Sequence, residues 1–222
     1  MKKNRILVTI ILVITFILIG YFNNKNSFKS KLEYSLNATC EIKVVAKNDI
    51  YATGVNVEEG KVITSYHIIS RLKLNEEDFK VYLKFNNNDT WILANIEKFD
   101  EANDLLLLKY DSDDSINDIK LADEKKIEMG TEIFGIGNEN GQGLNLYKGI
   151  ISNPYKVISK KSGNIGVIKT NIGINDGDSG GPVFNNKGEL VGIFSFRTLD
   201  NLGNPIQSSS YIISVYHIKD IL

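Results

Sequence analysis

Three side chains spread along the chain have the makings of one reaction. Ser179 lies in "GINDGDSGGPVFNNKGELVGI", residues 173–193, where glycine crowds around a single hydroxyl. A serine that attacks an acyl carbon needs an exposed Oγ and nearby backbone N–H groups to hold the oxygen that becomes negative. Glycine serves both needs. Gly177 lets the backbone turn and bring its N–H beside that of Ser179, and Gly180 and Gly181 admit a neighbouring strand and a substrate. Taken alone, the same segment also reads as a glycine-rich hairpin loop of a β-protein.

Such a serine requires a base, and the chain has two histidines. His67, in "GKVITSYHIISR", ends a strand that follows the tight turn "EEG", a rigid support from which a ring can project. His217, in the terminal "VYHIKDIL", reads as a partly exposed residue of a short helix. An imidazole base needs a carboxylate to fix its tautomer and stabilise its cation. "FDEANDLLLLKYD" offers Asp100, Asp104 and Asp111. Asp104 leads directly into an apolar run, where a carboxylate is costly without a partner, so it is the favoured orienter. Asp100 and Asp111 read as solvated turn residues.

These side chains must be carried by a β-rich chain. Short apolar, β-branched or aromatic runs such as "EIKVVAK", "KVITSYHII", "DLLLLKY" and "ELVGIFSF" alternate with turn signals such as "NNND", "NENGQG" and "NNKG". A dozen such strands predict an all-β sandwich or a pair of barrels. The helix candidates are brief: a turn after His67 and the C-terminal tail. The polar stretch 111–126 is the natural connection between two half-domains.

Charge is nearly balanced at −1 over 222 residues, and 42% of residues are hydrophobic, enough for one ordinary core or two small ones. No basic stripe is present to meet a phosphate backbone, which sets nucleic acid aside as a partner. Cys40 stands alone, so it has neither a disulfide partner nor a metal-ligand partner in sequence and reads as a small buried residue. Neither a cofactor nor a metal is expected.

The N-terminus breaks the pattern. After Lys2, Lys3 and Arg5 comes an uncharged apolar run, residues 6–22. At about 1.5 Å per residue it reaches the short end of a bilayer span. It lacks the small-residue pattern of a signal-peptide cleavage site, so an uncleaved anchor is expected, with signal cleavage and secretion as the rival. Residues 1–22 then form the membrane segment, 23–39 a polar tether and 40–222 the exported domain. The basic residues ahead of the run put the N-terminus inside and the domain on the extracytoplasmic face of the cell membrane.

Together, "ITSYHII" around His67, "NDLLLLK" around Asp104 and "GDSGGPV" around Ser179 resemble the three catalytic segments of the chymotrypsin-like serine peptidases, in the order His, Asp, Ser. The finer resemblance is to the bacterial HtrA (Do-like) branch, through "GTEIFGIGNENGQGLNLYKGIIS" and "TNIGINDGDSGGPVFNNKGELVGI". It covers roughly residues 40–222.

The resemblance implies two six-stranded antiparallel β-barrels, about 40–115 and 125–222, with the active site between them. His67 would be general base and then acid, Asp104 its orienter, and Ser179 the nucleophile that forms an acyl-enzyme. The N–H groups of Gly177 and Ser179 would form the oxyanion hole. Gly173 would lie at the base of the substrate pocket, with residues 194–197 (Phe194, Ser195 and Phe196 among them) and 208–212 (Ser209 among them) as walls. No acid stands at that base, so a small or medium apolar side chain is the expected preference, and Ile212 would make the pocket shallow. Substrates would be proteins or peptides. The sequence offers no expectation of the PDZ domain usual in the HtrA branch. Asp178 replaces that branch's Asn, as in trypsin-like enzymes, where the acid pairs with a newly cut N-terminus. No such cleavage site precedes residue 40, so Asp178 should find another donor or stay solvated. The contrasting expectations are a protease-fold module that binds or senses without catalysis, and a regulatory protease that cuts one membrane-bound partner.

Overall fold

Runs of β-branched and aromatic residues punctuated by glycine and asparagine turns fold, among the described residues, into twelve antiparallel strands in two closed barrels. The structure is a computed structural model. It describes residues 2–222 apart from 71, 73–78, 87, 112–115 and 161–162, and only the backbone of 2–8, 22, 24–26 and 160.

The first barrel comprises β1 (Thr39–Val45), β2 (Ile50–Glu58), β3 (Lys61–Ser65), β4 (Lys80–Phe85), β5 (Ile92–Asp100) and β6 (Leu105–Tyr110), in the order β1-β2-β3-β6-β5-β4. Cys40, Ile42, Val62, Leu83, Phe85, Leu106 and Leu108 fill its interior. The four consecutive leucines of β6 are all fully buried, because Leu105 and Leu107 on the opposite face are covered as well. A continuous apolar run is the signature of a strand with no wet face.

The second barrel comprises β7 (Glu132–Gly137), β8 (Asn145–Lys160), β9 (Gly163–Thr170), β10 (Pro182–Asn185), β11 (Leu190–Leu199) and β12 (Pro205–Ser214), in the order β10-β11-β12-β9-β8-β7. Its core gathers Ile133, Ile151, Ile168, Val183, Phe194 and Ile212. The connection between barrels is docked where it is described. Asn56 donates to the Asn117 carbonyl and to Asp118, and residues 120 and 122 exchange backbone hydrogen bonds with Leu190. A short C-terminal helix, Val215–Ile221, packs on strands of both barrels.

Two features differ from expectation. Residues 23–38, read as part of a polar tether, are helical, within one helix spanning Lys2–Ala38. After Gly20 that stretch has neither glycine nor proline to break it, which allows the helix to run on to β1. Residues 1–34 and 35–222 are separate compact units. Among the described residues no helix is long and apolar enough to cross a membrane. The span expected over 6–22 therefore finds no support in the structure, whose described side chains begin at residue 9.

Candidate active site

His67 opens a single helical turn, His67–Ser70, directly after β3. Its backbone N–H donates to Asp104 Oδ1 at 2.9 Å, and its ring Nδ1 lies 2.9 Å from Asp104 Oδ2. Asp104 sits in the turn between β5 and β6 with φ of 55°, a left-handed conformation that aspartate accepts better than most residues. The Asp104 carbonyl accepts the Tyr66 N–H, so this turn and the strand end before His67 are knitted together. Asp104 is 2% exposed and also accepts the Ser195 hydroxyl. A carboxylate only accepts, so Nδ1 carries the ring proton and Nε2 is left with its lone pair. Nε2 lies 2.9 Å from Ser179 Oγ. The ring is about one-third exposed, with Phe196 beside it at 6.3 Å between centroids.

Asp100 and Asp111 take no part in this chain. Asp100 caps its own turn by accepting from the N–H and side chain of Asn103, and Asp111 is exposed beyond the end of β6. His217 packs against Tyr216 and near Gly166 on β9.

Ser179 belongs to the loop between β9 and β10, held from both barrels. The Thr53 N–H of β2 donates to the Ser179 carbonyl at 2.9 Å, and the Gly180 N–H donates to the Phe194 carbonyl at 2.7 Å. Gly180 has φ of 81°, and a Cβ there would run into the Thr64 hydroxyl and the Thr53 carbonyl, so the first barrel reaches the backbone of Ser179 only because residue 180 has no side chain. Gly177, with φ of 96°, is pressed equally closely against the Asn138 carbonyl. The Asp176 carbonyl accepts the Asn140 N–H at 2.7 Å. In a trans peptide the following N–H points the opposite way, which turns the Gly177 N–H away from Asn140. Among the described residues the N–H groups of Gly177 and Ser179 have no backbone acceptor.

Asp178, between these two donors, is fully buried. The Asn175 N–H reaches Oδ2 at 2.8 Å, and the Tyr147 hydroxyl lies 3.1 Å from both oxygens. Burial pushes its pKa up to about 6, although both hydrogen bonds pull the other way. The donor left open by the sequence is thus a tyrosine on β8 that nothing in the local motif marks.

The expected pocket needs correction. Gly173 does line a cleft, with Asn175, Arg197 and Gln207, and a Cβ on it would strike the Gln207 carbonyl. Phe194 is not a wall: it is fully buried in the second core, with its ring edge-on to Tyr147. Ser195 is 6% exposed and turned to Asp104. The cause is a register shift between Phe194 and Phe196 that breaks strict alternation and re-aims these side chains. Ser209 is buried and spends its hydroxyl on Thr198 and the Thr170 carbonyl. Ile212 belongs to the core. Arg197, within the expected wall segment 194–197, does line the cleft and pairs with Asp176 at 2.7 Å.

Residues 52–193 match the trypsin-like peptidase domain family. A probable periplasmic serine endoprotease, DegP-like, of Rickettsia conorii is 31% identical over 172 residues, 76% of this chain and 32% of that protein. The anti-sigma-I factor RsgI9 of Acetivibrio thermocellus is 30% identical over 173 residues, 77% of this chain and 22% of that protein. The chain therefore spans a third or less of the length of these curated relatives. Among solved structures, the HtrA-type protease AlgW with a tripeptide has a TM-score of 0.73 at 21% identity, covering 87% of this chain and 62% of that one, a likeness of fold. A match that runs through both barrels and more than half of the sequence identifies the chain as belonging to the trypsin-like peptidase domain family, with HtrA-type serine endoproteases among its relatives.

Proposed function

We propose that the chain is a serine endopeptidase that cuts proteins or peptides through an acyl-enzyme, with His67, Asp104 and Ser179 as its catalytic residues. One observation carries the reading: a single imidazole has a buried carboxylate at 2.9 Å on Nδ1 and a serine hydroxyl at 2.9 Å on Nε2. With the proton held on Nδ1 by Asp104, Nε2 removes the Ser179 proton as Oγ attacks the scissile carbonyl. The imidazolium so formed faces Asp104, which stabilises it without taking the proton. The carbonyl oxygen, now negative, is received by the N–H groups of Gly177 and Ser179. His67 returns its proton to the leaving amine, and water repeats the sequence to release the acid.

The Gly177 and Ser179 donors, with no backbone acceptor among the described residues, and the anchored Asp176 carbonyl support a receptive oxyanion site in the resting chain. The apolar side chains of residues 10–19 stand exposed along the N-terminal helix. That surface supports membrane attachment through residues 6–22, with the peptidase unit on the extracytoplasmic side, the side named for the rickettsial relative.

A fluorophosphonate, which phosphonylates an activated serine, tests the reading. Wild-type chain should take one label, and Ser179→Ala should take none, because removing the nucleophile typically costs several orders of magnitude in rate. A folded wild-type chain that stays unlabelled would be a binding module instead.

A further inference from the structure

The hydrogen-bond chain through His67 makes no use of Asp178, although that carboxylate sits between the two candidate oxyanion donors and is fully buried. Three elements enclose it. From β8 comes the Tyr147 hydroxyl, 3.1 Å from each oxygen. From β7 comes Gly137, where any Cβ would strike the carboxylate. From its own loop comes the Asn175 N–H at 2.8 Å. The charged groups facing it are Glu139, on the turn after β7, and Arg197 on β11, whose guanidinium is engaged by Asp176 at 2.7 Å. The carboxylate therefore depends on a neutral hydroxyl and one backbone N–H.

The two peptide planes flanking this residue hinge on it, and the Gly177 donor belongs to the peptide just before them. The Asp178 N–H closes a turn onto the Asn175 carbonyl, and the next peptide carries the Ser179 N–H. With the side chain pinned at Tyr147 and Asn175, the backbone of Asp178 cannot rotate without breaking hydrogen bonds in a dry pocket, which is costly. We propose that Tyr147 is a positioning residue for the oxyanion donors Gly177 and Ser179, acting through Asp178, an inference that rests on the endopeptidase reading above. The lock is internal to the second barrel and needs no group from outside it.

Protonation should open the lock. The Asp178 carboxyl, raised by burial to about 6, accepts both donors when ionised. A proton on one oxygen replaces an acceptor with a donor, so the loop loosens as pH falls through that value. Tyr147 stays a donor throughout, since burial and the Asp178 charge push its own ionisation upward.

The full chain is compared as wild type, Tyr147→Phe and Asp178→Asn, by the fluorophosphonate labelling rate between about pH 5 and 8. Hydrogen exchange of the segment 173–181, corrected for intrinsic rates, is followed in parallel. Phenylalanine keeps the ring against Phe194 and removes only the hydroxyl. It should label about tenfold more slowly near neutral pH, the scale of one lost hydrogen bond to a charge. It should also shift the acid loss to higher pH and exchange faster in 173–181. Asparagine keeps an acceptor for the Asn175 N–H and cannot titrate, so the acid loss near pH 6 should shrink and exchange should lose its pH dependence there. A Tyr147→Phe chain with wild-type rate, pH profile and exchange overturns the lock. If that variant fails to fold, an Asp178→Asn chain that keeps the wild-type acid loss overturns it. An unlabelled wild type defeats the endopeptidase reading alone, and exchange in 173–181 then decides the lock: faster in Tyr147→Phe supports it, unchanged refutes it.

Discussion

Asp104 and Asp178 are both buried carboxylates, one hydrogen-bonded to His67 and the other next to Ser179 in the chain, yet their surroundings differ. Asp104 collects three donors, two from His67 and one from Ser195. Asp178 has a hydroxyl and one N–H, and its pKa rises from 3.8 to about 6. A carboxyl that binds its proton more tightly when folded makes its full contribution to stability below about pH 4. That contribution is lost as pH rises through about 6. At about 1.4 kcal/mol per unit, Asp178→Asn should stabilise the chain by roughly 2–3 kcal/mol near pH 7.5 and by little near pH 4. Thermal melts of the two proteins at both pH values check this, and a constant difference between them would contradict it. The ionised form on which the proposed lock depends is thus carried at the expense of the fold, a tension between stability and activity.

At the scale of elements, β2 does more than close the first barrel. Thr53 donates its hydroxyl to the Gly177 carbonyl at 2.8 Å and receives the Asn138 N–H at 2.9 Å, while its own N–H holds the Ser179 carbonyl. Thr53→Val keeps the shape and strands two buried polar groups, each costing about 1–3 kcal/mol. Its melting temperature should drop by several degrees, with slower labelling of Ser179. Undiminished labelling would mean that this contact is idle. Much of this scale was legible in sequence. Apolar runs bounded by glycine and asparagine turns gave away the strands, and the His67, Asp104 and Ser179 segments lie where strands end or a glycine loop forms. What escaped detection depends on three-dimensional register. The bulge between Phe194 and Phe196 sends Phe194 into the core and Ser195 to Asp104, an outcome that side-chain alternation cannot predict. Tyr147 meets Asp178, 31 positions away in the chain, only because β7 pairs with both β8 and β10. The helix through residues 23–38 was hidden by its polar composition, which resembles that of a linker.

For the molecule as a whole, an exposed apolar helix and a peptidase unit make different demands on solvent. Phe16 is 80% exposed and the apolar side chains around it from 49% to 64%, a surface that water disfavours. Full-length chain should float with phospholipid vesicles in a density gradient, and a chain starting at residue 35 should remain with the soluble fraction. Equal partitioning of the two would remove the case for attachment. The proposed chemistry is divided between the two barrels: His67 and Asp104 on one, Ser179 on the other. Each barrel is sealed on itself, so its strand ladders survive a small slip at the seam. The proposed reaction would not, because an ångström or two between Nε2 and Oγ, 2.9 Å apart, breaks the proton's route to His67. Catalytic competence in such an architecture measures how well two intact halves stay docked, and any molecule that wedges or clamps that seam gains control of the enzyme without touching its reacting atoms.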